Sequence, residues 1–144
     1  MRFTPLLMVL FATFATSARA ELRLRLDVAG KGPIVIALDE DAAPKTVAQI
    51  VRLAKSGFYD DMPFFRVERT PRPYLAWFGD PVARKSPDSP TLGEGGSGQK
   101  VPFERTGLKH VKGAVGMARP LDDENGADSV FYVVLDTATF LDGK

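Results

Sequence analysis

The sequence predicts a mainly β, antiparallel barrel or sandwich built around a single helix. Three observations point there. Residues 21–28, "ELRLRLDV", alternate polar and apolar side chains without a break, the period of a strand with one buried face. A sustained helical period occurs once, across residues 47–58. Four short apolar runs, at residues 64–67, 74–78, 111–117 and 129–135, are set apart by Gly and Pro. Many short strands beside one helix argue against a βαβ repeat.

Taken in order, the opening strand is followed by "AGKG", a turn, and then by residues 33–38, "PIVIAL", a second run rich in β-branched residues, so the domain opens with a hairpin. In the helix, Val47, Ile50, Val51, Ala54 and Phe58 fall at i, i+3, i+4, i+7 and i+11 and form one apolar stripe. Asp39, Glu40 and Asp41 precede it and suit the positive end of its dipole. Pro44 fits the first turn, and Gly57 can stop the helix in a left-handed cap. Residues 81–99 carry prolines, glycines and almost no apolar periodicity, and are expected to be loop throughout.

The first twenty residues, "MRFTPLLMVLFATFATSARA", read as a cleaved secretory signal: Arg2 ahead of an apolar stretch at residues 6–15, and Ala18-Arg19-Ala20 as a small-x-small site with cleavage after Ala20. The apolar stretch is well short of the roughly 20 residues that cross a bilayer. Cleavage leaves one domain, residues 21–144, with 17 basic against 18 acidic side chains. That balance favours neither nucleic acid nor an anionic membrane. Cysteine is absent, which removes disulfides, thiol nucleophiles and Cys metal sites. The expected setting is the periplasm or the cell exterior, for a monomer.

Several motifs invite chemistry and do not hold it. Residues 93–98, "GEGGSG", match G-x-G-x-x-G, but a loop precedes them and "QKVPFE" follows, where a phosphate cradle needs a strand before and a helix after, so a flexible turn is the reading. His110 is the only histidine and has no serine or cysteine motif beside it, which leaves a packed or hydrogen-bonded structural histidine. Asp60-Asp61 and Asp122-Asp123-Glu124 lack calcium-loop spacing and read as solvated turns.

One charge stands out. Arg66 lies inside the apolar run "FFRV", and alternation sends it to the face opposite Phe65 and Val67. If that pair is in the core, Arg66 stands on the outer face of the sheet.

The order "VAQIVRLAKSGFYDDMPFFRV", an aromatic-apolar strand ending in Gly79-Asp80, a glycine-rich loop, "LKHVKGAVGMA", "SVFYVVL" and "FLDGK" resembles the cyclophilin family of peptidyl-prolyl cis-trans isomerases, from about residue 22 to 144. The resemblance implies an eight-stranded antiparallel barrel with an apolar groove on its outer wall, in which Arg66 matches the catalytic arginine. It implies that Tyr74 and Leu75 stand in the groove wall, Ala118 beside them, Tyr132 where the family's pocket phenylalanine stands, and Phe140-Leu141 where Trp-Leu is common. It further implies proline-containing polypeptides as partners and no metal or cofactor.

The chain departs from the family at five places. Trp77 and Val130 replace glutamines, and Arg119 replaces an asparagine whose backbone binds peptide. The spacing from Arg66 to Tyr74, through "VERTPRP", is longer than usual. After "LDGK" the family continues with strands that close the barrel, so a barrel without its closing C-terminal strands is expected here. The function expected is isomerisation of X-Pro bonds during the folding of exported proteins, with a non-catalytic proline-peptide binding or chaperone-like module as the alternative.

Overall fold

The structure, a computed structural model, describes residues 21–143. The signal reading falls on residues 1–20, outside the described residues. Strands β1 (Leu22–Val28) and β2 (Gly32–Leu38) form the expected hairpin, in antiparallel register from Leu22↔Leu38 to Val28↔Gly32. Alternation brings Leu24, Leu26, Ile34 and Ile36 to one face, where they pack against the helix and the second sheet.

Helix α1 (Pro44–Lys55) has proline in its first turn and ends where Gly57 takes φ +72°, with the Gly57 and Phe58 amides donating back to Ala54 and Leu53 carbonyls. Its start differs from the sequence expectation. Asp39 is used within its own turn, accepting the Asp41 and Ala42 amides, and the free first-turn amides of Lys45 and Thr46 instead donate to Glu104 at 2.9 and 2.8 Å. The buried face is Val47, Gln49, Ile50 and Leu53, so Val51 and Ala54, expected near its centre, lie half-buried at its margin. Gln49 is covered because its amide donates to the Gln99 carbonyl at 2.8 Å, a contact no local period encodes.

The remaining strands are β3 (Arg66–Glu68), β4 (Leu75–Phe78), β5 (Val115–Met117) and β6 (Phe131–Val134), joined in the order β3-β4-β6-β5, every pair antiparallel. They are shorter than the apolar runs that contain them, since the ends of those runs turn: the Ala114 amide, for example, closes on the Val111 carbonyl. One correction falls in residues 81–99. They include a single-turn helix, α2 (Val82–Lys85), tied to the end of α1 by Arg84, which donates to the Phe58 and Asp60 carbonyls at 2.7 Å each. A 3-10 turn at Thr139–Leu141 follows β6.

Against the eight strands of a full barrel, the described residues hold six, in a two-stranded and a four-stranded sheet. The larger sheet has two different faces. On the inner one, Phe78 and Phe131 join Ile36, Ile50, Leu53 and Tyr59, and burial of each such side chain stabilises the fold by roughly 1.5–3 kcal/mol. On the outer one, Leu75, Val134 and Ala138 are covered by Tyr74, Trp77, Tyr132 and Leu141. That second face positions the site.

Candidate active site

Arg66 opens β3 directly across from Trp77 on β4, and Trp77 is across from Tyr132 on β6. Side chains in register share a face, so the three line up across the outer wall. The Arg66 guanidinium lies over the indole with its carbon 4.0 Å from the ring centroid, and the indole meets the Tyr132 ring at 5.4 Å. Two residues along β3, Glu68 returns to the same face and takes the Nε edge of Arg66 at 3.1 Å. The guanidinium is thus fixed from below and along one edge. Its Nη amino groups have no hydrogen-bond partner among the described residues, and the side chain is 43% exposed. One of these amino groups lies beside Gly93 of the glycine-rich loop. A planar cation set on an aromatic face, with donors left unbonded and the side chain part-exposed, can bond a group that arrives on the groove.

Behind the wall, Tyr132 reaches His110. Its hydroxyl lies 2.9 Å from Nε2, the two rings stack at 5.9 Å, and Nδ1 lies 2.9 Å from Asp142. Burial pushes the Tyr132 hydroxyl above its ordinary range, although the nearby Arg119 charge acts the other way. Asp142 is held below the usual carboxylate range, chiefly by the His110 backbone amide and then by its imidazole. His110 is hydrogen-bonded, as its sequence setting suggested.

The other residues expected at the site lie around this wall. Tyr74, half-buried, meets the exposed Phe140 ring edge-on at 5.7 Å, and Leu141 packs on the outer cluster beside them. Leu75 is buried under that cluster. Ala118, Arg119 and Val130 stand one step past the β5–β6 ladder, where the Ala118 amide donates to the Val130 carbonyl at 2.9 Å. Val130 is buried, and the Arg119 guanidinium lies 5.7 Å from the Phe103 ring, which Arg105 also approaches. The indole Nε1 of Trp77 is buried without a hydrogen-bond partner among the described residues. Sequence reasoning missed Glu68, although the same alternation that placed Arg66 outside also places a residue two positions on beside it.

The glycine-rich loop has a different use from a flexible turn. Asp80, fully buried, accepts the amides of Val82, Gly93 and Gly95, while Asp128 accepts those of Ser97 and Gly98. A side chain at Gly95 or Gly96 would overlap one of these carboxylates. The loop does cradle anions, and they are the protein's own. Asp123, expected in a solvated turn, pairs with Lys100 at 2.7 Å.

With this architecture in view, comparison with known proteins is decisive. A model of the family described as cyclophilin type peptidyl-prolyl cis-trans isomerase/CLD matches residues 23–144. The chain belongs to the cyclophilin family. A probable peptidyl-prolyl cis-trans isomerase of Brucella suis is 37% identical over 117 residues, which cover 78% of this chain and 58% of that protein. A peptidyl-prolyl cis-trans isomerase of Synechococcus elongatus is 33% identical over 113 residues, covering 78% and 69%. The chain therefore spans 58% of the length of the Brucella relative. Among solved structures, a Cryptosporidium parvum cyclophilin crystallised in the presence of the dipeptide Ala-Pro superposes with a TM-score of 0.71 at 22% identity, over 85% of this chain and 73% of that one, and shares its fold. The Arg66, Trp77 and Tyr132 wall is thus the outer face of a cyclophilin sheet.

Proposed function

We propose that this chain isomerises X-Pro peptide bonds in proline-containing polypeptides, with Arg66 as its catalytic residue. The observation that carries the reading is the Arg66 guanidinium, fixed on Trp77 beside the outer apolar cluster, part-exposed, with its Nη donors unbonded among the described residues. The barrier to rotation is about 18–20 kcal/mol because twisting breaks amide resonance. In the twisted state the prolyl nitrogen pyramidalises and regains a lone pair that the planar amide largely lacks. A donor at that nitrogen bonds the transition state more strongly than the ground state and lowers the barrier. Arginine keeps its charge, and its donors are held in a fixed plane. Tyr132, Tyr74, Phe140 and Leu141 supply apolar surface for the proline ring, with the buried Leu75 supporting them from beneath, and Ala118 and Arg119 extend it along the peptide. Slow X-Pro isomerisation limits folding, and the leader pattern of residues 1–20 makes exported proteins the clients we favour.

NMR exchange spectroscopy on a short Ala-Pro peptide tests this. The chain is expected to accelerate cis-trans exchange, and Arg66→Ala to lose about a hundredfold of that acceleration or more, as for other transition-state donors. Equal rates with the two proteins would overturn the reading. Saturable binding without exchange would instead support a proline-peptide binding module, which the replacement of two polar positions by Trp77 and the buried Val130 favours.

A further inference from the structure

We infer that His110, oriented by Asp142, is a positioning residue for the proline pocket and acts through the hydroxyl of Tyr132. The inference rests on the isomerase reading above.

A buried phenol needs a partner for its hydroxyl. On β5, across from Tyr132, stands Gly116, and a side chain there would overlap the Tyr132 ring and hydroxyl. The missing side chain gives the phenol room to lie over the Gly116 backbone and reach Nε2 of His110 at 2.9 Å. His110 is fixed in turn. Asp142 accepts its backbone amide at 2.9 Å and lies 2.9 Å from its Nδ1, while the His110 carbonyl accepts the Ala138 amide at 2.8 Å.

The chemistry of the groups assigns the protons. An ionised carboxylate only accepts, so with Asp142 ionised Nδ1 of His110 carries the hydrogen. Nε2 of the neutral ring is then an acceptor, and Tyr132 must donate to it. The hydroxyl hydrogen is thereby committed to His110, and the ring of Tyr132 is pinned against Trp77, the platform of Arg66. A continuous series of contacts runs from Asp142 through His110, Tyr132 and Trp77 to the guanidinium. Without the imidazole, the phenolic hydrogen loses this acceptor and turns toward the pocket. An unpaired donor there disfavours an apolar proline ring. The charged groups facing the pair are Asp142 and Lys109 beside the imidazole and Arg119 near Tyr132.

A double-mutant cycle in the full chain tests this, using wild type, His110→Gln, Tyr132→Phe and the double variant, with Ala-Pro peptide binding and exchange both read by NMR. His110→Gln is expected to weaken binding about fivefold in the wild-type background and to have almost no effect in the Tyr132→Phe background, a coupling of the size that contacting residues show. Equal losses from His110→Gln in both backgrounds would overturn the positioning role. If His110→Gln unfolds, Asp142→Asn, which loosens the imidazole while keeping its neighbour's shape, runs the same cycle. A folded wild type that neither binds nor exchanges the peptide overturns the isomerase reading itself, and additive losses in a wild type that binds overturn only this inference.

Discussion

Asp80, just past the end of β4, and Arg66, at the start of the neighbouring β3, are both charged, and their surroundings are opposite. Asp80 is fully buried and accepts three backbone amides. Arg66 has one carboxylate on one edge, an indole beneath it and donors left over. A charge whose bonds are satisfied by the protein's own backbone organises the loop around it. A charge held in place with donors still unused is equipped for something that arrives from solution. The division predicts that stability and chemistry separate cleanly between the two.

The largest effect expected follows from removing the buried anion. Asp80→Ala leaves three amides without their acceptor and should cost about 2–4 kcal/mol in urea unfolding, with residues 93–98 losing protection from amide hydrogen exchange. An unchanged midpoint would break the contrast from the structural side. Next in size is the platform. Trp77→Leu keeps an apolar side chain but removes the ring under the guanidinium, a contact worth about 0.5–1 kcal/mol at exposed sites, so catalysed exchange should fall about two- to fivefold. A gain in rate would show that the indole holds Arg66 away from its working position.

Smaller still is the helix start. Burial would raise Glu104, but the hydrogen bonds from the Lys45 and Thr46 amides outweigh it and hold the carboxyl below its usual range. A depressed folded value contributes stability that is present above the unfolded carboxyl range and lost as pH falls through the folded value. Wild-type stability should therefore drop below about pH 4.5, and Glu104→Gln should remove part of that drop while costing about 1 kcal/mol near neutrality, as a lost cap does. Thermal unfolding from pH 3 to 7 measures both. Identical slopes in the two proteins would sink the assignment.

What was legible in the sequence is what periodicity records. Alternation placed β1 and β2, but it chose the wrong phenylalanine beside Arg66: Phe64 packs on the core, while Phe65 and Arg66 both reach the Gly93 turn, because β3 begins only at Arg66 and the strand period does not extend back to the two phenylalanines. The helical stripe located α1, with Pro44 and Gly57 marking its ends. The parts not legible depend on partners distant in the chain. Glu104 caps a helix that begins some sixty residues earlier, and Gln49 turns inward because the 97–99 loop offers it a carbonyl. The glycine motif looked like slack because its two anions, Asp80 and Asp128, lie outside it. His110 could be recognised as hydrogen-bonded in kind, but its partners Tyr132 and Asp142 come from β6 and the turn after it, and only the folded chain brings them together. The Arg66, Trp77 and Tyr132 wall was assembled from a family resemblance, and the strand register supplies its physical basis.

The central claim is that Arg66 works through fixed, unbonded donors and does not hold the fold together. Arg66→Lys tests it most directly, because lysine keeps the charge but not the planar fork. Catalysed exchange of an Ala-Pro peptide, measured beside the urea midpoint of the same variant, should fall about tenfold or more while the midpoint moves by less than about 0.5 kcal/mol. Exchange retained in full, or lost only together with the fold, would contradict the account.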